Sequence, residues 1–284
     1  MTLKFTYRTL EQDLSTANLE LKAETGEAYE IVNMAVDGAG ANALLRVLIG
    51  TELMATPPID DADAELLKWV ATTGLPLSFF KQAKNAALPI PTFKVAAGEK
   101  IVLSSTTSDG TAYIVYKKWT EGQGPKKTDP GGSESKTRLF FLNGRTTEEI
   151  AAVSTESFEI VNSVNPAGQP KFPFEANVPV GWTFDVLAIC TRKNDGSGAD
   201  ITYTGIRWWK EESSLLGLAD EFAEPTLFPY QEGVANWDIN WFEDPIRFDE
   251  NEESFFEVQA ANGHATNAED AIIDVCLIVL GTKR

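Results

Sequence analysis

Two stretches decide how this chain reads: GEAYEIVNMAV (Gly26–Val36) and VGWTFDVLAIC (Val180–Cys190). Gly26 and Gly181 stand 155 positions apart, and the residues after them agree in type. Tyr29-Glu30-Ile31-Val32 lies over Phe184-Asp185-Val186-Leu187, in each case an aromatic, an acid and then aliphatic residues. Alternation with a period of two marks a strand with one face buried, and the glycine before it supplies the turn.

Outward from this pair, the same shift keeps finding partners. Leu19-Glu20 lies over Phe174-Glu175, Pro91-Thr92-Phe93 over Ile246-Arg247-Phe248, and Ile101-Val102-Leu103 over Phe256-Glu257-Val258. The turn Asp37-Gly38-Ala39-Gly40 is answered by Asn194-Asp195-Gly196-Ser197-Gly198. Only the last strand drifts, Tyr113–Tyr116 answering Ile272–Ile278 after a longer turn. Identities are few, but order, spacing and residue type agree over most of both halves, which is the mark of an internal duplication.

Further strand patterns fall at Ala43–Ile49, Phe93–Ser105, Thr111–Trp119, Phe158–Val164, Phe172–Val178, Asp200–Trp209, Phe255–Ala260 and Ala271–Leu280. Many short strands with Gly-rich turns between them argue for a sandwich or roll. Helical patterns are fewer: Asp60–Thr72, with acids in its first turn, then Ser78–Ala87, Ser213–Phe222 and Thr146–Val153. The first two lie in one excursion between matched blocks, Thr51–Pro91, and the third in the other, Glu211–Pro245. The expected fold class is all-β, two tandem β-sandwich jelly rolls with short helices in the excursion loops. The expected division is an N-terminal arm at 1–18, a first roll at 19–119, a linker and connector at 120–170, and a second roll at 171–284. The Gly-, Pro- and Lys-rich run Thr120–Lys136 is the natural linker.

Composition narrows the function. The chain has 284 residues, 43% of them hydrophobic, with 24 Lys and Arg against 42 Asp and Glu for a formal charge of −18. A surface of that sign repels phosphates, so no direct contact with nucleic acid is expected. The short basic clusters Lys117-Lys118, Lys126-Lys127, Lys136 with Arg138, and Lys283-Arg284 read first as solvated faces. Cys190 and Cys276, both in apolar runs, read as buried thiols, with a bridge between them left open. No secretory signal opens the sequence, and Val275–Leu280 is too short to span a bilayer. The expectation is a soluble product of a cytoplasm.

The repeated openings GEAYEIVNMAV and VGWTFDVLAIC are each followed by a hairpin and a return strand, ALLRVLIGTEL and DITYTGIRWW, and the chain closes on IIDVCLIVLGTKR. In this layout it resembles the double jelly-roll major capsid proteins of tailless icosahedral bacteriophages, the corticovirus-like members of the PRD1-adenovirus lineage. The resemblance lies in pattern and covers about three quarters of the chain. It implies a homotrimer of nearly six-sided outline that tiles a viral shell. The implied partners are copies of itself, other capsid or vertex proteins and an internal viral membrane. The implied location is the virion, after synthesis in the host cytoplasm.

Chemistry of other kinds finds little to build on. His264 is the one histidine, in a turn-like Asn262–Asn267, and no HExxH, GxSxG or GxxxxGK[ST] accompanies it. No catalytic residue, cofactor or metal ligand is therefore assigned. Structural calcium is weighed at three acidic groups: Asp60-Asp61-Asp63 with Glu65, Asp249-Glu250-Glu252-Glu253, and Asn194-Asp195-Asp200. The bland readings of these are helix N-terminal acids, a solvated edge and a hairpin turn. The aromatic residues of the second excursion also have two readings. They fill the mouth of the roll, with Trp208 and Trp209 straddling a sheet, or they form a subunit interface of Trp208, Trp209, Phe222, Trp237 and Trp241. The rival function, from another class, is a carbohydrate- or receptor-binding β-sandwich module.

Overall fold

The computed structural model describes residues 4–40, 42–59, 88, 91–120, 122–194, 196–210, 213–216 and 240–284, and the ordered elements among them are all strands. The chain divides into two compact units, residues 1–140 with 280–284, and residues 141–279.

The first unit is built from β1 (Phe5–Asp13), β2 (Leu19–Lys22), β3 (Ala28–Asp37), β4 (Leu45–Ile49), β5 (Glu52–Ala55), β6 (Lys94–Val95), β7 (Lys100–Ser105) and β8 (Thr111–Trp119). They form two four-stranded antiparallel sheets in the orders β1-β8-β3-β6 and β2-β7-β4-β5. First strand pairs with last, and second with second-to-last, as in a hairpin rolled up on itself. This is the jelly roll. The alternation read from the sequence is the alternation of burial: Ile101, Leu103 and Ser105 of β7 point inward while Lys100, Val102 and Ser104 are half-buried. Ile31, Met34, Val36, Leu45, Val47 and Ile114 complete the core between the sheets.

The second unit repeats the plan. Its strands are β9 (Thr137–Ile150), β10 (Ser154–Glu159), β11 (Asn162–Ser163), β12 (Trp182–Lys193), β13 (Ile201–Lys210), β14 (Ser213–Leu216), β15 (Asn240–Phe248), β16 (Phe255–Asn262) and β17 (Glu269–Lys283). The sheets run β11-β9-β17-β12-β15 and β10-β16-β13-β14. With the short added strand β11 set aside, the order is that of the first unit, strand for strand. The chain is two tandem jelly rolls. Gly26 and Gly181, which open β3 and β12, share a left-handed backbone (φ +82° and +79°) that glycine adopts without cost.

Several expectations need correction. The stretch 1–18, expected as an arm, holds β1, paired along its whole length with β8 from Phe5↔Trp119 to Asp13↔Thr111. The connector 120–170 contains β9, β10 and β11, so the second roll begins well before 171. Phe172–Val178 is a series of turns rather than a strand. Its every-second-residue apolarity arises because Phe172, Phe174 and Val178 all drop into the core, Phe172 meeting the rings of Phe184 (5.7 Å) and Phe248 (5.0 Å). The counterpart of β2 is therefore β10, and Leu19 does not answer Phe174. The expected helix Thr146–Val153 is the end of β9 followed by a turn, since pairing within a sheet overrides a modest helical preference. Ser213–Leu216 is strand β14, and the rest of that expected helix lies outside the described residues, as do Asp60–Thr72 and Ser78–Ala87. The Gly-rich run after β8 is packed rather than loose. Gly131 O accepts from Lys94 N at 3.1 Å, and a Cβ at Gly131 would sit 2.0 Å from Thr92 O.

Candidate functional site

Of the five aromatic residues expected at an interface, Trp208 is a core residue. It is wholly buried, stacks on Phe256 (4.7 Å) and Phe248 (5.8 Å), and donates its Nε1–H to Ser254 Oγ. Trp209, on the opposite face of β13, is half-buried, stacks on Phe255 at 5.8 Å and has the Arg207 guanidinium 5.4 Å from its ring centre. Arg207 in turn pairs with Glu257 on the neighbouring strand. Trp241 is half-buried on the edge strand β15. Phe222 and Trp237 lie outside the described residues. The two tryptophans thus straddle the sheet, and only the outward one is open to a partner.

The acids of the Asp249–Glu253 group are already engaged. Around Asp249–Glu253, Glu250 accepts from Gly181 N (2.7 Å), Glu252 accepts from Asp249 N and Lys210 (both 2.6 Å), and Glu253 accepts from Asn177 Nδ2 (3.2 Å). These carboxylates tie the turn after β15 to the turn before β12. The group at Asp60–Glu65 and Asp195 lie outside the described residues. Asn194 is buried, its Oδ1 accepting from Gly196 N at 3.0 Å within its own turn.

A triple that sequence reasoning missed is Asp200, His264 and Glu269, whose ligand atoms lie within 4.8 Å of one another on two turns and the start of β17 in the second roll. Its chemistry does not suit a metal. His264 Nδ1 accepts from the backbone N–H groups of Thr266 (3.2 Å) and Asn267 (3.0 Å), so Nδ1 bears the lone pair and Nε2 the proton. A ring in that tautomer donates from Nε2 and does not coordinate through it. Glu269 is likewise engaged, accepting from Asp200 N at 3.0 Å.

The first roll holds a cavity of about 530 Å³ whose charged lining is Lys22, Lys100 and Lys127 set against Glu52, Glu99 and Glu134. Glu99 is the buried member, 7% exposed. Its oxygens accept from Ser133 Oγ and from Ala96 N at 3.1 Å, and Lys127 Nζ lies 3.6 Å away. Lys127, which also pairs with Glu134 (3.7 Å), and Ser133 thus staple the Gly-rich run to the roll through Glu99, while Lys22, Lys100 and Glu52 pair with Glu24, Glu20 and Arg138. The basic clusters elsewhere are mostly paired as well, with Lys117 on Glu30 (3.3 Å), Lys118 on Glu27 (2.6 Å) and Arg138 on Glu52 (3.3 Å). The Lys118 ammonium, and then the Tyr29 hydroxyl, hold the Glu27 carboxyl below its usual range.

Charge is divided unevenly between the rolls. The first unit's residues include 17 Lys and Arg and 17 Asp and Glu, while the second's include 7 against 25, which is the chain's entire −18. Within the second roll one acid is buried where no loop signal marked it. Asp274, in the middle of IIDVC, takes Arg145 Nε (2.5 Å) on Oδ1, and Arg145 Nη2 (3.0 Å) and Asn194 Nδ2 (2.9 Å) on Oδ2. An acid inside an otherwise apolar strand run was the signal, and it could have been read. Cys190 and Cys276 are both buried and not bridged; burial pushes the Cys276 thiol up.

No protein-family model and no curated protein matches the chain in sequence. Among solved structures it is similar to a chain of Sulfolobus turreted icosahedral virus, at 10% identity and a TM-score of 0.24 over 99% of this chain and 57% of that one. A chain of the infectious bursal disease virus Gx strain is similar at 9% identity and a TM-score of 0.21, over 99% and 77%. The chain therefore spans little more than half the length of the first. Scores this low carry no weight for its fold, which rests on the strand orders.

Proposed function

We propose that this chain is a structural shell protein that self-assembles as pseudo-hexagonal homotrimers into an icosahedral viral capsid. The observation that supports this is the recurrence of one eight-strand jelly-roll order twice in a single chain. Three such chains present six rolls, so duplication turns three-fold symmetry into near six-fold symmetry, and a nearly hexagonal block tiles a closed surface with one kind of subunit. Closed symmetry also shields sheet edges from open-ended aggregation. The resemblance of layout to the double jelly-roll major capsid proteins of tailless bacteriophages points the same way. On this reading the partners are copies of the chain, vertex proteins and an internal membrane, and the protein resides in the virion.

The test is native mass by light scattering on a sizing column, followed by negative-stain imaging. A stable species of three times the 31.1 kDa chain, or larger hexagonal plates and shells, is the expected result. A monomer at every concentration, unchanged by salt or pH, would overturn it. The alternative of carbohydrate binding has one observation in its favour, the outward Trp209–Phe255 ring pair with Arg207 above it. Retention on glycan arrays by a persistently monomeric protein would move that reading to first place.

A further inference from the structure

We propose that the free edge of β1 is a docking strand for the β1 edge of a second copy of this chain, the two pairing antiparallel about a two-fold axis at Thr9. Each sheet has two edges, and among the described residues all but this one are blunted. Strands β6 and β11 have two residues each, β2 and β5 four, and β14 four with a break in register. The edge strand β15 is as long as β1, but it carries a bulge against β12 and the sequence Glu243-Asp244-Pro245. On β10, Glu156 and Glu159 are exposed and point like charges at any incoming copy. Short length, bulges, proline and charge are the means by which proteins keep sheet edges from pairing. In contrast, β1 runs for nine residues in unbroken register with β8 and contains no proline.

The hydrogen bonding of β1 fixes which residues it can offer. Leu14 N donates to Gly110 O at 2.8 Å, continuing the β1–β8 ladder, so the even-numbered residues face β8. Phe5, Tyr7, Thr9 and Glu11 therefore aim their N–H and C=O groups away from the sheet. A two-fold axis at Thr9 sets Thr9 opposite its own copy, Tyr7 opposite Glu11, Phe5 opposite Asp13 and Arg8 opposite Leu10. No like charges meet, and Tyr7, 60% exposed, gains a neighbour. The first unit has no net charge, so two copies approach through it without the repulsion that the second would impose. The pairing rests on this edge geometry and not on the trimer.

The test is cross-linking under mild oxidation. Cys190 and Cys276 are buried, so a cysteine placed on β1 reports alone. Facing residues of a bonded antiparallel pair lie about 5.5 Å apart at Cα, within disulfide reach. Thr9→Cys is expected to give a disulfide dimer at micromolar protein, whereas Thr6→Cys, opposite Gln12, is not. Thr9→Pro removes an outward N–H and no bond to β8. It should leave the circular dichroism unchanged while weakening the copy-to-copy association about tenfold or more, because the axis removes the donor twice. Equal cross-linking at both positions, none at either, or undiminished association of Thr9→Pro would overturn the proposal. Trimers without the Thr9→Cys dimer would leave the shell reading standing and remove this one, and dimers without trimers would do the reverse.

Discussion

Asp274→Ala is the perturbation that most directly probes the second roll. The Asp274 side chain is 7% exposed and Arg145, its partner from β9, 24%. Two guanidinium bonds and one amide bond from Asn194 converge on the carboxylate. Alanine leaves the guanidinium three-quarters buried without the Asp274 counter-charge and removes one acceptor from the Asn194 amide. Breaking a buried pair by removing one partner costs about 3–5 kcal/mol. Residual access of water to Arg145 places this case near the lower end, about 3 kcal/mol. For a unit of about 140 residues that is a fall in Tm of about 10 °C. Urea unfolding followed by tryptophan fluorescence is the assay, since five of the seven tryptophans belong to the second unit. The double variant Arg145→Met with Asp274→Leu should recover most of the loss, because it buries no unpaired charge. A cost below about 1 kcal/mol for Asp274→Ala, or a double variant no better than the single one, would refute the assignment of this pair as a structural tie.

The straddling tryptophans predict an asymmetric result. Trp208→Ala should cost about 3–5 kcal/mol by urea unfolding, and Trp209→Ala less than about 1, since only the first empties a core site. Gly26→Ala and Gly181→Ala should each cost about 1–2 kcal/mol from backbone strain alone, because an added Cβ meets nothing within 4 Å at either position. Burial keeps the Tyr29 and Tyr203 hydroxyls and the Cys276 thiol protonated to higher pH than usual. The unfolded chain therefore loses these protons first. Stability should be complete below about pH 9 and decline as pH rises toward 12, with the tyrosinate absorbance of the buried Tyr29 and Tyr203 appearing only as the protein unfolds.

What the sequence made legible was what repeats locally. The glycine-led strand is readable because its period and its turn lie within a dozen residues, and Gly26 and Gly181 do share one backbone conformation. The 155-residue shift also holds where strands keep their place: Ile101 and Leu103 of β7 are buried as Phe256 and Val258 of β16 are. It fails at the start of the second roll, because β9 and β10 precede a long run of turns through Pro170–Val180 that has no counterpart between β2 and β3. A strand and a turn that both send alternate side chains into a core look alike in sequence, and Phe172–Val178 is such a case. The interior tie of Arg145, Asn194 and Asp274 joins residues 129 and 80 positions apart, beyond what periodicity reports. The edge strand β1 is hidden in the sequence because Phe5, Tyr7 and Leu10 are split between its two faces among polar residues, which reads as a tail until the partner strand is known.

The uneven division of charge leads to a prediction about association that differs from the usual one. A protein held to its copies by exposed ion pairs dissociates as salt is added. Here the exposed pairs of the first roll balance internally, and the second roll carries 25 acids against 7 bases. When copies crowd together, the dominant long-range term is therefore repulsion between second rolls. Its range is set by the ionic atmosphere, about 14 Å at 0.05 M salt and about 4 Å at 0.5 M. Raising sodium chloride across that interval should strengthen self-association, moving the onset of larger species in light scattering to lower protein concentration. Neutralising some of the exposed acids that lack an ion-pair partner among the described residues, as in Glu148→Gln with Glu149→Gln, should reproduce part of that effect at low salt. Association that weakens steadily with salt would mean that ion pairs between copies outweigh this repulsion, and would refute the argument from charge division.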